Sequence, residues 1–295
     1  MPANQIIQIT PERAIGTGQA PFIISEIGNN HNGDMDNARK LIDQSVNAGV
    51  DAVKFQTKDI ESAFSKELLD SPYTGENSFG PTYREHKEVL ELSEDEYGEL
   101  KEYANNKGVI FFSTPFDLLS VEMLERIGQP IYKLASFHVT NLELIEAIVK
   151  TGKPLLMSTG MSTWEEVGAA VEVVRNYTEN FVVLQCTSSY PADFADLNIS
   201  AIPEISKRFD CLVGYSGHER GVGIAPGTVA LGACVIERHF TLDRTMKGPD
   251  HAASLEFRGL DLLVKRASRY WEAMGVPEKI VMPSELATRM KNRGY

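Results

Sequence analysis

Polar and ionisable side chains collect at the ends of apolar, strand-like runs in this sequence. The run FIISEIG carries Glu26, DAVKFQT carries Lys54 and Gln56, and VIFFSTP carries Ser113 and Thr114. IYKLAS supplies Lys133 and Ser136, LLMSTG supplies Ser158 and Thr159, and FVVLQCTSS leads through Thr187 and Ser188 to Tyr190. CLVGYSGH contributes Ser216 and His218, ACVIERHF contributes Glu237 and His239, and the turn GPDH adds Asp250. Each type suits a definite task. Lys54 and Lys133, with the hydroxyls of Ser136, Ser158 and Ser216, are donors for a phosphate and a carboxylate. His218 and His239 are imidazoles suited to a divalent transition metal such as Mn, Fe, Co or Zn. Two such ligands leave positions open for water or a substrate oxygen. Glu26, Glu237 and Asp250 offer carboxylates for proton transfer or for binding hydroxyls. The set fits a polyhydroxylated substrate beside a small phosphorylated acid. Charge at the end of a buried strand is costly unless something pairs with it, so these groups are expected to converge on one cavity.

The elements that would position them are legible as a pattern. Eight apolar runs, at 22–28, 51–57, 109–115, 131–136, 155–160, 181–189, 211–218 and 233–240, alternate with amphipathic stretches such as LLSVEMLERIG and EEVGAAVEVVRN. That alternation predicts βαβ units and an α/β fold of the (β/α)8 TIM-barrel type, with its chemistry at the C-terminal ends of the strands. An open doubly wound sheet would place GxGxxG after the first strand, and GNNHNG stands there instead. The first helix is expected from about Asp36 to Ala48, and Ser162 with Glu165 reads as a capping box. QIIQIT, followed by AIG after Pro11, predicts an N-terminal hairpin plugging the barrel bottom. From Lys58 to about Glu94 a long loop follows the second strand, placed to act as a lid. The 295 residues, 42% of them hydrophobic, suit one barrel domain over 1–295.

A formal net charge of -12 argues against a nucleic-acid partner while leaving room for a small anion in a locally basic pocket. Cys186, Cys211 and Cys234 lack CxxC spacing and read as free thiols of a reducing compartment. There is no secretory leader pattern and no membrane-length apolar stretch, so a cytoplasmic location is expected.

Seven motifs, IISEIGNNHNG, AVKFQT, YKLAS, LLMSTGM, QCTSSYP, GYSGHE and ERHFTLDRTMKGPDHAAS, resemble in order those of the sialic acid synthase-like family, from about Phe22 to Glu285. That family includes synthases of N-acetylneuraminic, legionaminic and pseudaminic acids and the spore-coat polysaccharide protein. The resemblance implies a transferase that joins phosphoenolpyruvate to an N-acylated mannosamine-type sugar, with C–O cleavage and phosphate release. It further implies phosphoenolpyruvate ligands at Lys54, Lys133, Ser136, Ser158, Ser188 and Ser216, with Ser188 standing where some members have Asn. It implies metal ligands at His218 and His239, usually for manganese, and sugar contacts at Glu26, Gln56, Tyr190 and Asp250. Glu237 is the implied general base, and Glu26 and Lys133 complete the expected catalytic set. His31 lies in a motif whose Asn-Gly setting equally reads as a turn. A homodimer is also implied. Family members commonly continue into a small antifreeze-like domain, and because the sequence stops at PSELATRMKNRGY that domain is expected to be absent. The alternatives are a 3-deoxy-ulosonate synthase acting on a phosphorylated or non-acylated aldose, and a non-catalytic barrel paralogue.

Overall fold

The computed structural model describes residues 5–294. Two antiparallel strands come first, β1 (Ile6–Thr10) and β2 (Arg13–Gly16). Next are β3 (Phe22–Gly28), α1 (Met35–Ala48) and β4 (Ala52–Thr57). The segment after β4 folds into α2 (Ile60–Ala63), α3 (Lys66–Leu69) and α4 (Tyr83–Leu90), ahead of α5 (Glu94–Asn106) and β5 (Ile110–Pro115). Then come α6 (Leu118–Ile127), β6 (Tyr132–Leu134), α7 (Leu142–Val149), β7 (Leu155–Ser158) and α8 (Trp164–Arg175). The barrel ends with β8 (Phe181–Cys186), α9 (Ala201–Phe209), β9 (Leu212–Gly217) and β10 (Ala233–His239), followed by α10 (Phe257–Met274) and α11 (Leu286–Arg293). The strands β3 to β10 pair in parallel in the order β5-β4-β3-β10-β9-β8-β7-β6. β5 and β6 lie side by side, so the sheet comes round into the expected TIM-like barrel.

Side-chain alternation along the strands builds two apolar layers. On β3, Ile23 and Ile27 face the helices, while Phe22 and Ile24 face the barrel interior. That interior holds Ala52, Phe112, Ile131, Leu156, Leu184, Leu212 and Val235 around Ile7, Ile9 and Ile15 of the β1–β2 hairpin. The hairpin is therefore the expected plug, and each buried isoleucine stabilises it by about 1.5–3 kcal/mol. The helices start and stop on local signals. Asp34 caps α1 by accepting from the Asn37 N–H, Gly49 ends it in a left-handed conformation, and Ala38, Leu41, Ile42, Ser45 and Ala48 form its buried stripe.

Four details depart from the sequence reading. The barrel strands are mostly shorter than the apolar runs, and Ser136 begins a 3-10 turn beyond β6. The capping box of α8 lies on Thr163 and Glu166, one residue after the expected pair, because Thr159 to Ser162 forms a turn with Met161 at φ 63°. A 3-10 segment, Ala225–Leu231, stands between β9 and β10 where an α-helix was expected. The excursion after β4 is largely helical, and its Thr82–Glu85 capping box fixes the start of α4. All three cysteines are free and buried. Among the described residues no helix is long and apolar enough to cross a membrane.

Candidate active site

A cavity of about 440 Å³ lies where the barrel strands end. Its wall includes every residue given a catalytic, ligand or metal role from sequence: Glu26, Lys54, Gln56, Lys133, Ser136 and Ser158 on one stretch of rim, then Ser188, Tyr190, Ser216, His218, Glu237, His239 and Asp250, with Thr114 beside them. Strand alternation explains the composition. Two residues beyond an apolar interior position comes a polar one: Ile24 precedes Glu26, Ala52 precedes Lys54, Ile131 precedes Lys133, Leu156 precedes Ser158 and Val235 precedes Glu237. The same rule turns Ser113, Thr159 and Thr187 away, against the expectation that all the strand-end hydroxyls converge. Ser113 bonds Thr57 at 2.7 Å, Thr159 donates to Leu184 O, and Thr187 donates to Asp196 O.

Register sets the first contacts. Glu26 lies opposite Lys54 in the β3–β4 ladder, and Glu237 lies opposite Ser216 in the β9–β10 ladder. Lys54 Nζ accordingly sits 2.6 Å from Glu26 Oε2 and donates to Thr114 Oγ1, while Gln56 donates to Glu26 Oε1 at 2.8 Å. Ser216 donates to Glu237 Oε1 at 3.2 Å, and Lys133 Nζ is 3.8 Å from the same oxygen. The hydroxyls of Ser158 and Ser188 and Oε2 of Glu237 are buried without a hydrogen-bond partner. Orphaned polar atoms of this kind mark where a ligand's own groups are needed.

The two carboxyls are pushed apart in acidity. Burial outweighs Lys54 and, with Glu237 nearby, raises Glu26 to about 7. Burial also pushes Glu237 upward, but Lys133, Lys54, His239 and His218 together hold it below the usual carboxylate value. One carboxyl is thus kept as an acid and the other as a base, the arrangement acid–base chemistry requires.

His218 and His239 project from neighbouring strand ends with ring centroids 5.3 Å apart. His218 Nδ1 donates to Thr187 O at 2.8 Å, which requires the proton there and leaves Nε2 free. Burial lowers His239 to about 4, keeping it neutral, and its Nδ1 is buried without a partner. Tyr190 closes over both rings, 4.1 Å from His218 and edge-on to His239 at 5.9 Å. An imidazole anchored by a backbone carbonyl beside a second, neutral one suits a divalent cation. No group of three or more His, Cys, Asp or Glu ligands occurs among the described residues, so these two would hold it with positions left open.

Further groups support or extend the wall, and sequence reasoning gave them no role in it. Arg238 points away from the cavity and meets Glu219 at 2.7 Å, both side chains fully buried, tying the segment after His218 to β10. Tyr215 donates to the other oxygen of Glu219 at 2.9 Å. The NNHNG motif works through its asparagines. Asn30 donates to Phe240 O and Ser254 Oγ, and Asn32 donates to Lys247 O, bracing the loop that carries Asp250. His31 is buried against Phe55 behind the wall. Gly160 allows close packing of the serines, since a Cβ there would lie 2.1 Å from Ser188 Oγ. Lys58, Phe64, Tyr83, Lys87 and Cys186 also line the cavity. Lys58 could have been found as the next residue after the β4 run, whereas nothing local singles out Lys87.

The chain is similar to known proteins over nearly its whole length. It is 42% identical to N-acetylneuraminate-9-phosphate synthase of Homo sapiens over 97% of this chain and 80% of that one. It is 40% identical to the N,N'-diacetyllegionaminic acid synthase of Campylobacter jejuni, over 90% of this chain and 80% of that one. A crystal structure of an N-acetylneuraminic acid (sialic acid) synthetase from Leptospira borgpetersenii superposes with a TM-score of 0.86 at 32% identity, over 99% of this chain and 98% of that one. The model of the NeuB family matches residues 41–279. With its barrel, its strand-end cavity and these relatives, the chain belongs to the NeuB family of sialic and nonulosonic acid synthases.

Proposed function

We propose that the protein condenses phosphoenolpyruvate with an N-acylated mannosamine-type sugar. The observation that carries this reading is the meeting, in one cavity, of two buried lysines, unpartnered serine hydroxyls and two carboxyls pushed apart in acidity. Lys54, Lys133, Ser136, Ser158, Ser188 and Ser216 receive the carboxylate and phosphate of the three-carbon acid. Gln56, Tyr190, Asp250 and Glu26 hold the sugar hydroxyls and aim its C1 aldehyde at C3 of phosphoenolpyruvate. The electron pair of the enol double bond forms the C3–C1 bond, and positive charge develops at C2. Glu26, as the protonated carboxyl, gives its proton to the aldehyde oxygen, which becomes a hydroxyl. Water adds to C2 and passes a proton to Glu237. The tetrahedral centre then breaks its C2–O bond to phosphate, the remaining hydroxyl proton leaves with the phosphate, and C2 becomes the ketone of a nine-carbon 2-keto acid. Lys54 and Lys133 offset the anionic charge throughout. A divalent cation held by His218 and His239, manganese being the first to try, would supply Lewis-acid polarisation of the aldehyde.

The test is to incubate the protein with phosphoenolpyruvate, Mn²⁺ and a panel of N-acylated mannosamines, measuring inorganic phosphate and 2-keto acid. Both products should appear together. Folded, manganese-loaded protein that releases no phosphate with any sugar would refute the reading. The same reading takes the chain as a cytoplasmic homodimer, whose mass light scattering would measure.

A further inference from the structure

Gln56 touches the sugar in the proposed condensation, and its carboxamide is held on both sides. Its Nε2 donates to Glu26 Oε1 at 2.8 Å, and its Oε1 accepts from Asn29 Nδ2 at 3.2 Å. Asn29 is buried, and its Oδ1 in turn accepts from Lys58 Nζ at 3.3 Å. Lys58 is buried too, with its ammonium over the Phe116 ring at 4.2 Å and 3.9 Å from Glu91 Oε2. Along the row Lys58, Asn29, Gln56, Glu26 every donor therefore points the same way. The ends fix that sense, because an ammonium only donates and Glu26 Oε1 accepts. Turning over either amide alone would set oxygen against oxygen on one side and donor against donor on the other. Two further contacts pin Gln56. Tyr97 donates to Gln56 O at 2.6 Å, and its hydroxyl lies 2.8 Å from Glu91 Oε1, so the Gln56 backbone is joined to the same lysine through Glu91. Gly28 stands at φ 53°, where a Cβ would come within 3.0 Å of both Gln56 Nε2 and Glu26 Oε1, so the chain passes this pair on a residue without one.

We infer that Lys58 and Asn29 are positioning residues that fix which end of the Gln56 carboxamide faces Glu26, so that Gln56 offers the sugar an N–H donor. This inference rests on the proposed condensation, in which Gln56 is a sugar contact. An amide nitrogen carries two hydrogens. One is committed to Glu26, and the other is left for a sugar oxygen on the cavity side. An amide free to turn would offer a donor in one state and an acceptor in the other, and binding would have to select between them. The row makes that selection before the sugar arrives, which removes its cost from the binding step. Lys58 and Asn29 thus act through Gln56 and not on the reacting atoms.

The decisive variant is Asn29→Asp, which keeps the size of the side chain and its contact with Lys58. The new carboxylate cannot donate to Gln56, so Gln56 must turn over, give its amide hydrogens to position 29 and set its oxygen toward Glu26. Kinetics with phosphoenolpyruvate, Mn²⁺ and the N-acylated mannosamine turned over fastest by the unaltered protein should show KM for the sugar raised by about tenfold, the effect of one hydrogen bond left unmade. Lys58→Met should move the same constant in the same direction. KM for phosphoenolpyruvate should change less in both. Each substitution is then repeated in Gln56→Met, where it should add less than about twofold, because the group it acts through is gone. Where a variant turns over too slowly to assay, the Kd of the sugar by titration calorimetry is read for the same ratios. A sugar KM within about twofold of the unaltered protein in Asn29→Asp and Lys58→Met would overturn the inference and leave the condensation standing. The full tenfold persisting in Gln56→Met would overturn it as well, since the effect would then bypass Gln56. No turnover by the unaltered protein with any sugar would remove the condensation and this inference with it.

Discussion

Lys54 sits opposite Glu26 in its ladder, and that position gives it two roles, counter-charge to a buried carboxyl and cation for a ligand. Lys54→Met should raise KM for phosphoenolpyruvate by about tenfold or more, and steady-state kinetics showing an unaltered KM would contradict the anion assignment. The unlike acidities of Glu26 and Glu237 make a second prediction. Glu26 acts protonated with its pKa near 7, so kcat should fall as pH rises through about 7, and Glu26→Gln should lose that limb of the profile. Stability has the same sign. The folded carboxyl holds its proton more tightly than a glutamate at its ordinary value of 4.5, so its contribution is complete below pH 4.5 and is lost as pH rises through about 7. Urea titrations across that window should show a shallower slope in Glu26→Gln. For the imidazoles, His218→Ala or His239→Ala should weaken Mn²⁺ binding, read by electron paramagnetic resonance, at least about tenfold with circular dichroism unchanged. Undiminished manganese binding in either variant would show the ion sits elsewhere. Most of these residues were legible in the sequence because a polar group ending an apolar strand is conspicuous. Their pairings were not, since register joins residues far apart in the chain.

Loops and helices decide whether those side chains stay aimed. Asn30 ties the turn after β3 to the segment after β10 through Phe240 O and Ser254 Oγ. Asn30→Ala leaves these acceptors unpaired, and the expected cost is about 1–3 kcal/mol. A loosened Asp250 loop should also raise KM for the sugar. A urea melt and sugar kinetics test the two halves separately, and a variant with native stability and native KM would remove the bracing role. The NNHNG motif was conspicuous in sequence, yet the prominent residue was His31, and the bracing falls to the asparagines beside it. The excursion after β4 is conspicuous in sequence by its length, which predicts a loop. Its short helices depend on caps at Asp59, Ser65 and Thr82 and on packing across the barrel mouth, and only the packing brings Lys87 to the cavity.

At the scale of the whole molecule, an apolar floor supports a polar rim. Ile15 is fully buried among the interior residues of the barrel, far along the strands from the cavity. Ile15→Ala should cost about 2–5 kcal/mol by urea denaturation, and a loss below about 1 kcal/mol would mean the hairpin contributes little to the floor. The sequence by itself determined the barrel, the hairpin beneath it and nearly the whole composition of the rim. Those features follow from local period, apolar runs and the residue two steps past each run. Tertiary structure alone decided that Glu26 is raised and Glu237 lowered, that Arg238 turns outward onto Glu219, and that Lys58 and Lys87 share the cavity with the strand lysines. The physical reason is that acidity and pairing depend on burial and on neighbours distant in the chain, which exist only once the eight strands have closed around a common floor.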